Sequence, residues 1–180
     1  MIVKQTTLDG CFIIKPTIHK DQRGYFYESF NQKKFEELIG QKIDFVQDNQ
    51  SRSKRGVLRG IHFQKGQFAQ AKLVRVLQGE VLDVVVDLRK DSKTFGQYDS
   101  IVLSAVNKKQ LFVPRGFGHG FITLSVASEF AYKCDNYYNK ESESGIIYND
   151  LLLNIDWKVP LHEIIVSEKD QQLPNFKELW

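Results

Sequence analysis

The sequence predicts an all-β protein, a sandwich or barrel with a few short helices. Most of the chain consists of short β-branched and aromatic runs, and clusters of Gly, Asn, Asp and Lys separate them. No linker, internal repeat or low-complexity stretch interrupts the pattern. The chain has 180 residues, of which 42% are hydrophobic and 26% charged, the size and composition of one soluble domain. We therefore expect a single domain over residues 1–180.

The runs define eleven candidate strands. The string KLVRVLQGEVLDVVVDLR at 72–89 is much longer than an average strand. Gln78-Gly79-Glu80 is therefore predicted to turn the chain between two paired strands. The candidate strands are 2–3, 11–15, 25–30, 44–49, 57–63, 72–78, 80–88, 98–104, 110–113, 119–124 and 128–137.

Two helices are predicted. In the first, Asn31 caps the N-terminus, apolar residues recur at i, i+3 and i+4 from Phe35, and Gly40 ends the helix. The second is short and begins at Ser167. From residue 135 onward the strand pattern loosens, and we expect this C-terminal tail to wrap the β domain.

The run VLDVVVDL at 81–88 is apolar on both faces of a strand. Such a run predicts burial on both sides, as when a sandwich packs against a second subunit. We therefore expect a homodimer, with the N-terminal strands in its interface.

Charge and cysteine content limit the class of protein. Lys and Arg number 25 against 22 acidic residues, a net charge of +3 that is too small and too evenly spread for a nucleic-acid binder. An anionic small ligand fits better. Cys11 and Cys134 form no CxxC pair, which favours a reducing compartment. With no signal-peptide pattern and no apolar stretch of roughly 20 residues, we expect a cytoplasmic protein without a membrane partner.

Two stretches have the spacing of the cupin motifs, in which two loops of a small β-barrel direct side chains into its mouth. Gly56 is followed by His62 and then by Gln64, where cupins usually place a second histidine. PRGFGH at 114–119 forms the second motif. The glutamate position of metal cupins holds Phe68 or Ala69. Two histidines with a neutral amide bind zinc poorly, so we expect no metal; a metal-dependent cupin remains the alternative.

Several strings, in order, resemble the dTDP-4-dehydrorhamnose 3,5-epimerase family, and the resemblance runs nearly end to end. It implies a jelly-roll β-sandwich of the cupin type and epimerisation of dTDP-4-dehydro-6-deoxy-D-glucose at C3 and C5, with no cofactor. The strings are DQRGYFYE (21–28), RGVLRGIHFQ (55–64), QAKLVRVLQGEVLDVVVDLR (70–89), PRGFGHGF (114–121), EFAYKCDNYY (129–138) and SEKD (167–170).

The resemblance implies a role for four residues. His62 is the general base, Asp170 its carboxylate partner, Tyr132 the acid on the other face of the sugar, and Lys72 the cation beside the C4 oxygen. Histidine suits this role because its ordinary pKa lies near neutrality. The residues implied for the nucleotide-sugar site are Arg23, Phe26, Glu28, Gln47, Asp48, Asn49, Arg59, His119, Tyr138, Glu143 and Lys169.

Each role has a structural alternative. Ser167-x-x-Asp170 also reads as a capping box, Tyr132 as a core aromatic and Lys72 as a solvated strand residue. Two alternative functions stay open, an epimerase acting at one carbon only and a nucleotide-sugar-binding protein without catalysis. The loop at 65–72 departs from the commoner family pattern, since Gln67-Phe68 replaces prolines and Ala71 replaces glycine.

Overall fold

Two antiparallel sheets make up most of the protein in a computed structural model that describes residues 1–179. The strands are β1 Ile2–Gln5, β2 Phe12–Lys15, β3 His19–Asp21, β4 Gly24–Phe26, β5 Gln47–Lys54, β6 Leu58–Gln64, β7 Lys72–Gln78, β8 Glu80–Asp87, β9 Tyr98–Ser104, β10 Gln110–Val113, β11 Phe117–Thr123, β12 Ala127–Cys134 and β13 Glu143–Gly145. The helices are α1 Gln32–Ile39 and α2 Glu168–Gln171, and single 3₁₀ turns lie at Gly66–Phe68, Lys140–Ser142, Leu161–Glu163 and Phe176–Glu178.

The larger sheet has the strand order β1-β2-β10-β7-β12-β5, and the smaller one β13-β6-β11-β8-β9. Strands β3 and β4 form a separate two-stranded hairpin. From β5 onward the chain alternates between the two sheets, except that β8 and β9 are neighbours in the smaller one, as in a jelly roll. This arrangement confirms the predicted all-β, cupin-type fold.

The inner faces of the two sheets bury the main core. Because side chains alternate along a strand, every second residue of β7, β8, β11 and β12 points inward. Val74, Val85, Phe121 and Phe130 are among these residues, each at most 4% exposed. The rings of Phe121 and Phe130 stack with centroids 4.1 Å apart. At one end of the sandwich the inward positions become polar, and this end forms the site described below.

Gly79 lies at a corner between the sheets, so the predicted pairing of 72–78 with 80–88 is wrong. Strand β7 pairs with β10 and β12, whereas β8 pairs with β9 and β11. Gly79 has φ +77°, and a Cβ there would lie 2.1 Å from the carbonyl oxygen of Ala127. The same Gly that suits a hairpin turn serves here to move the chain from one sheet to the other.

Strand β8 is buried on both faces, but its outer face is covered by this chain itself. Leu82, Val84 and Val86 pack there against residues of the C-terminal tail, including Trp157. The tail of the same chain thus provides the cover, and the burial of β8 on both faces requires no second subunit.

The segment predicted as a strand at 25–30 is also different. Strand β4 ends at Phe26, and β3 and β4 turn where the Asp21 carboxylate accepts the Arg23 N–H at 2.8 Å. Phe30 packs instead against Phe35 of α1, with ring centroids 5.7 Å apart. Aromatic composition suggested a strand, but these rings belong to a helix–sheet contact.

Two further differences concern the sheet edges. Strand β5 runs from Gln47 to Lys54 rather than over 44–49, and β13 was not predicted. Both segments are mainly polar, so neither carries the β-branched pattern on which the prediction depended.

Both predicted helices are confirmed. The Asn31 side chain accepts the Lys34 N–H at 3.1 Å, and Gly40 ends α1 with φ +74°. Ser167 caps α2. Within residues 1–179, no helix is both long and apolar enough to cross a membrane.

Candidate active site

A cavity of about 260 Å³ opens at the polar end of the sandwich. Both sheets contribute to it, since β5, β7 and β12 belong to the larger sheet and β6 and β13 to the smaller. Seven of the predicted site residues line it: Gln47, Asn49, His62, Lys72, Tyr132, Tyr138 and Glu143.

His62 lies on β6 and forms a pair with Asp170 of α2. His62 Nε2 is 2.8 Å from Asp170 Oδ1, although 108 residues separate the two in sequence. The other carboxylate oxygen accepts the backbone N–H of Gly60 at 3.3 Å. Asp170 is 4% exposed, so helix α2 places a buried carboxylate beside His62.

Asp170 both takes part in a helix cap and contacts His62. The Ser167 hydroxyl accepts the backbone N–H of Asp170 at 3.1 Å, which is the cap. The Asp170 carboxylate makes the contacts with His62 and Gly60 instead of closing a capping box. One residue thus supplies its N–H to the cap and its side chain to the dyad.

The environment favours an ionised Asp170. Burial alone would raise its pKa, but the hydrogen bond and charge of His62 and the N–H of Gly60 outweigh burial and lower the pKa below the ordinary value of 3.8. A carboxylate here fixes the tautomer of His62 and stabilises the imidazolium that forms when the ring accepts a proton.

Tyr132 reaches the cavity from the sheet opposite His62. It lies on β12 and packs on its inner side against Phe130. Burial raises the pKa of Tyr132 above 10.0, with Cys134 and Glu143 acting in the same direction and the Arg59 charge opposing them. The hydroxyl therefore carries its proton at neutral pH and can donate it.

Lys72 is the first residue of β7 and is half-buried in the cavity wall. Burial lowers its pKa from 10.5, and electrostatic interactions with Cys134, Asp83 and Glu143 partly offset this effect. In β12 the residue opposite Lys72 is Cys134, two positions from Tyr132, so the amine and the phenol emerge on the same face.

A charged cluster stands at the rim. Glu143 Oε2 accepts hydrogen bonds from the Tyr138 hydroxyl at 2.7 Å and from Lys169 Nζ at 2.5 Å. Burial would raise the pKa of Glu143, but these contacts lower it overall. Because Lys169 precedes Asp170, the ion pair also attaches α2 to β13.

His119 is buried deeper, beneath the cavity. It pairs with His62 in the β6–β11 register, and its Nε2 lies 3.0 Å from both carboxylate oxygens of Asp83. Asp83 is fully buried, and burial raises its pKa while His119 and Lys72 oppose the shift. Asp83 was not among the predicted residues, although a lone carboxylate inside an apolar strand was a signal for it.

Five further predicted residues do not line the cavity of this chain. Arg23 and Phe26 lie on the exposed β3–β4 hairpin, where Arg23 pairs with Asp21. Glu28 bonds to Lys34 Nζ at 2.8 Å near α1. Asp48 points to the other face of the sheet than Gln47 and Asn49, and pairs with Lys133 at 2.9 Å. Arg59 is close to Tyr132 but is bound to Ser53 Oγ at 3.1 Å.

Sequence reasoning missed three polar residues that line the cavity: Gln64, Gln70 and Cys134. Each lies two positions from a predicted residue, so the period of a strand was the signal that pointed to them. Cys134 is a free, buried thiol whose pKa burial raises to about 11, and its sulfur accepts a hydrogen bond from Asn49 at 3.7 Å.

Gln64 occupies the second cupin position and is engaged with the backbone. Its amide nitrogen donates to Phe68 O at 2.9 Å and to Tyr137 O at 3.3 Å, and its oxygen accepts the Asn139 N–H at 2.7 Å. Gln64 therefore ties two loops to β6. Over residues 1–179, no three or more His, Cys, Asp or Glu side chains form a group able to hold a metal ion.

A jelly-roll sandwich whose cavity sets a histidine–aspartate pair against a protonated tyrosine is the architecture of a carbohydrate epimerase. The profile of the dTDP-4-dehydrorhamnose 3,5-epimerase family matches residues 5–178. The enzyme of that name from Salmonella typhimurium is 53% identical over 175 residues, 97% of this chain and 94% of its own. The chain belongs to the dTDP-4-dehydrorhamnose 3,5-epimerase family, which confirms the resemblance.

Two solved structures are similar to this one. The dTDP-4-dehydrorhamnose 3,5-epimerase from Elizabethkingia anophelis has a TM-score of 0.96 and 58% identity, covering 99% of this chain and 97% of that one. The dTDP-6-deoxy-D-glucose-3,5-epimerase from Legionella pneumophila, in complex with dTDP-4-keto-L-rhamnose, has a TM-score of 0.94 and 49% identity, covering 98% and 93%.

Proposed function

We propose that this protein converts dTDP-4-dehydro-6-deoxy-D-glucose to dTDP-4-dehydro-L-rhamnose by inverting C3 and C5. The observation that carries the proposal is that His62, paired with Asp170, and Tyr132 enter one cavity from opposite sheets. Inversion beside a ketone needs a group that removes a proton from one face and another that returns a proton to the other face. The names of the similar enzymes support the same reaction.

His62 is the base. The C4 ketone acidifies the hydrogens on C3 and C5, and neutral His62 takes each in turn as the C–H bond breaks. The bonding electrons move into the ring and onto the C4 oxygen, giving an enolate. Asp170 stabilises the resulting imidazolium, which lowers the barrier to proton removal.

Lys72 stabilises the enolate. The negative charge collects on the C4 oxygen in the transition state, so a cation placed there stabilises it more than it stabilises the ketone. By analogy with oxyanion-hole donors, this contact contributes roughly 3 kcal/mol. The ketone itself accepts the electrons, so this chemistry requires neither a redox cofactor nor a Lewis acid.

Tyr132 is the acid. Its raised pKa keeps the proton on the phenol until the enolate carbon takes it from the face opposite His62. Solvent then takes the proton from the His62 imidazolium and returns a proton to the Tyr132 phenolate. Both residues can then act on the second carbon.

Residues in the cavity and around it bind the nucleotide. Tyr138 offers an exposed ring on which thymine can stack, and its hydroxyl donates to Glu143, which Lys169 holds in place. Arg59 provides a guanidinium for the diphosphate, which it can grip with two parallel hydrogen bonds. This binding energy, remote from C3 and C5, holds the sugar between base and acid.

Arg23 and Phe26 bind substrate in a second subunit under this proposal. Both lie on the β3–β4 hairpin, which projects into solvent and leaves Phe26 71% exposed. Because they do not line the cavity of their own chain, a role in binding requires them to reach that of a partner. The protein is then a homodimer whose N-terminal hairpins are exchanged between active sites.

Mixed dimers test this arrangement. We expect Arg23→Ala and His62→Asn to be nearly inactive separately and to regain activity when unfolded and refolded together, since each mixed dimer holds one site with both residues. Equilibrium sedimentation of the parent should give twice the mass of the chain. A mixture no more active than the sum of the two separate variants would contradict the exchange of hairpins between subunits.

Incubation with the keto-sugar nucleotide in heavy water tests the reaction itself. The proposal expects product with the L-rhamno configuration and deuterium at both C3 and C5, seen by proton NMR. Deuterium at a single carbon would identify an epimerase acting at one position. Tight binding with neither exchange nor inversion would identify a non-catalytic nucleotide-sugar-binding protein.

Chelation tests the expectation that no metal takes part. Activity should survive prolonged dialysis against a chelator, because Gln64 and Phe68 stand where cupins place ligands. Loss of turnover that one added metal restores would overturn the proton-transfer scheme given above.

A cytoplasmic location completes the proposal. It is supported by the two thiols, Cys11 and Cys134, both buried and free, and by a nucleotide sugar as substrate. Fractionation of cells should recover the activity with cytoplasmic markers rather than with the periplasmic or external fraction.

A further inference from the structure

The loop that leads into Lys72 is held by side chains from the end of β12. This loop, 65–71, contains no proline. Asn136 Nδ2 donates to Gln67 O at 2.9 Å, and Gln70 Nε2 donates to Asn136 O at 2.8 Å. Two hydrogen bonds with Asn136 therefore fix this loop.

The strongest of these ties joins Asp135 to Ala71. The N–H of Ala71 donates to Asp135 Oδ1 at 2.6 Å, and the N–H of Asp135 donates to Ala71 O at 3.1 Å. The next pair in the β7–β12 register is Lys72 with Cys134. Asp135 thus holds the peptide immediately before Lys72.

Asp135 is itself fixed by Arg115 of the PRGFGH motif. Arg115 Nε donates to Asp135 Oδ2 at 2.7 Å, and the Asp135 side chain is 7% exposed. A carboxylate with both oxygens engaged and little solvent contact has one stable orientation. Asp135 does not line the cavity at His62; it borders a separate hollow with Ala71 and Arg115.

We propose that Asp135 is a positioning residue that acts through Ala71 to direct the Lys72 ammonium at the forming enolate oxygen. The inference rests on the proposed function, in which Lys72 stabilises that oxygen. A lysine side chain is long and flexible, so the place where its ammonium acts depends on where its Cα is held. A misplacement of about 1 Å, arising outside the reacting groups, can cost up to about 10²-fold in rate.

The first test is Asp135→Ala. We expect kcat to fall about 10-fold while the Kd for dTDP, which has no sugar ketone, stays within 2-fold of the parent. Asp135→Asn keeps an oxygen for the Ala71 N–H and should retain most of kcat. Deuterium exchange at C3 should slow with kcat in Asp135→Ala, because the step that Lys72 assists is proton removal.

A double-mutant cycle shows whether the effect passes through Lys72. In a Lys72→Met background, Asp135→Ala should change kcat less than 2-fold, because the ammonium it positions is gone. Asp99→Ala is the matched control. Its carboxylate also accepts a backbone N–H, that of Thr7 at 3.2 Å, but on β9 of the other sheet. Asp99→Ala should lower stability and leave kcat unchanged.

The proposal is overturned if Asp135→Ala keeps parental kcat, or lowers it equally with and without Lys72. Either result leaves the proposed function intact as long as Lys72→Met alone loses more than 10²-fold. Parental kcat in Lys72→Met would instead remove both the role of Lys72 and this inference. If Asp135→Ala does not fold, Asp135→Glu replaces it in both experiments. Glutamate keeps the ion pair with Arg115 but moves the oxygen that accepts the Ala71 N–H by one methylene.

Discussion

The backbone N–H and the side-chain carboxylate of Asp170 make separate contacts. Its N–H donates to the Ser167 hydroxyl in the cap of α2, and its carboxylate forms a hydrogen bond with His62. A change confined to the carboxylate therefore leaves the cap in place. This separation makes the residue a clean probe of the dyad.

Asp170→Asn should lower kcat more than 10²-fold while the melting temperature barely moves. The amide is close in size to the carboxylate but cannot stabilise imidazolium. Steady-state kinetics and thermal unfolding on the one variant give both quantities. Ser167→Ala is the matched control, and it should cost about 1 kcal/mol of stability with little direct effect on the chemistry. Equal kcat in Asp170→Asn and the parent would leave Asp170 as a structural residue.

Tyr132→Phe tests the division of work between two faces. The variant keeps His62, Lys72 and nearly all of the ring packing, but it has no proton to donate. Deuterium from heavy water should still enter C3 by return to the original face, while epimerised product forms at least 10²-fold more slowly. NMR of the recovered substrate and product measures both rates.

The control for that experiment is His62→Asn, which should lose exchange and inversion together. Near-parental epimerisation by Tyr132→Phe would contradict the scheme. Tyr132 would then be a core aromatic, and solvent or another side chain would be the acid.

Where strand geometry is regular, the sequence predicts which neighbouring residues share a face. Alternation places Gln47 and Asn49 together and sends Asp48 to the opposite face, and the same rule would have found Gln70 and Cys134. It could not find the partner of His62, because 108 residues separate Asp170 from it and only the fold brings them together. The resemblance supplied that pairing.

Among the elements, the loop after β8 depends on one carboxylate. Asp87 is fully buried and accepts hydrogen bonds from Arg89 Nη2 at 2.7 Å, Ser92 Oγ at 2.5 Å and Thr94 Oγ1 at 2.7 Å. Burial would raise its pKa, but these bonds lower it from 3.8 to about 2. The loop is thus organised around a negative charge.

Asp87→Asn should lower the free energy of unfolding by on the order of 2 kcal/mol at neutral pH, since charged hydrogen bonds are lost. The folded pKa is the depressed one, so this stability is present above about pH 4 and is lost as pH falls through about 2. Urea unfolding at several pH values should show the difference from the parent shrinking on acidification. Asp156→Asn, at an exposed pair with Lys158, should change little. A pH-independent difference would contradict the role of the charge.

The sequence predicts where helices and strands lie better than it predicts which strands pair. The helix capped by Asn31 and the strands β7 to β10 lie where the pattern indicates. The pairing of β7 with β8 was wrong because a glycine with positive φ suits a hairpin and a corner between sheets equally well. Which one forms is decided by the contacts of β10 and β12 with β7, which are distant in sequence.

Over the whole molecule, the C-terminal tail both covers the outer face of β8 and carries Asp170 to the cavity. Trp157 anchors it, 4% exposed, with its ring N–H donating to Tyr148 O at 2.8 Å. Trp157→Ala should therefore cost about 3–5 kcal/mol and move the thermal loss of activity to lower temperature. Leu151→Ala, 90% exposed on the same tail, is the matched control and should change little. Equal unfolding free energies for Trp157→Ala and the parent would mean that the tail does not stabilise the sheet.

Gln64 limits what an engineer can make from this scaffold. Restoring a second imidazole at that position, as the first step toward a metalloenzyme, would remove an amide that satisfies Phe68 O, Tyr137 O and the Asn139 N–H at once. A histidine has one donor and one acceptor when neutral, so at least one of these three backbone groups would lose its partner. The loops that shape the nucleotide site would loosen before any ion could bind. Redesign toward metal chemistry must therefore rebuild the 137–139 loop together with the ligand set.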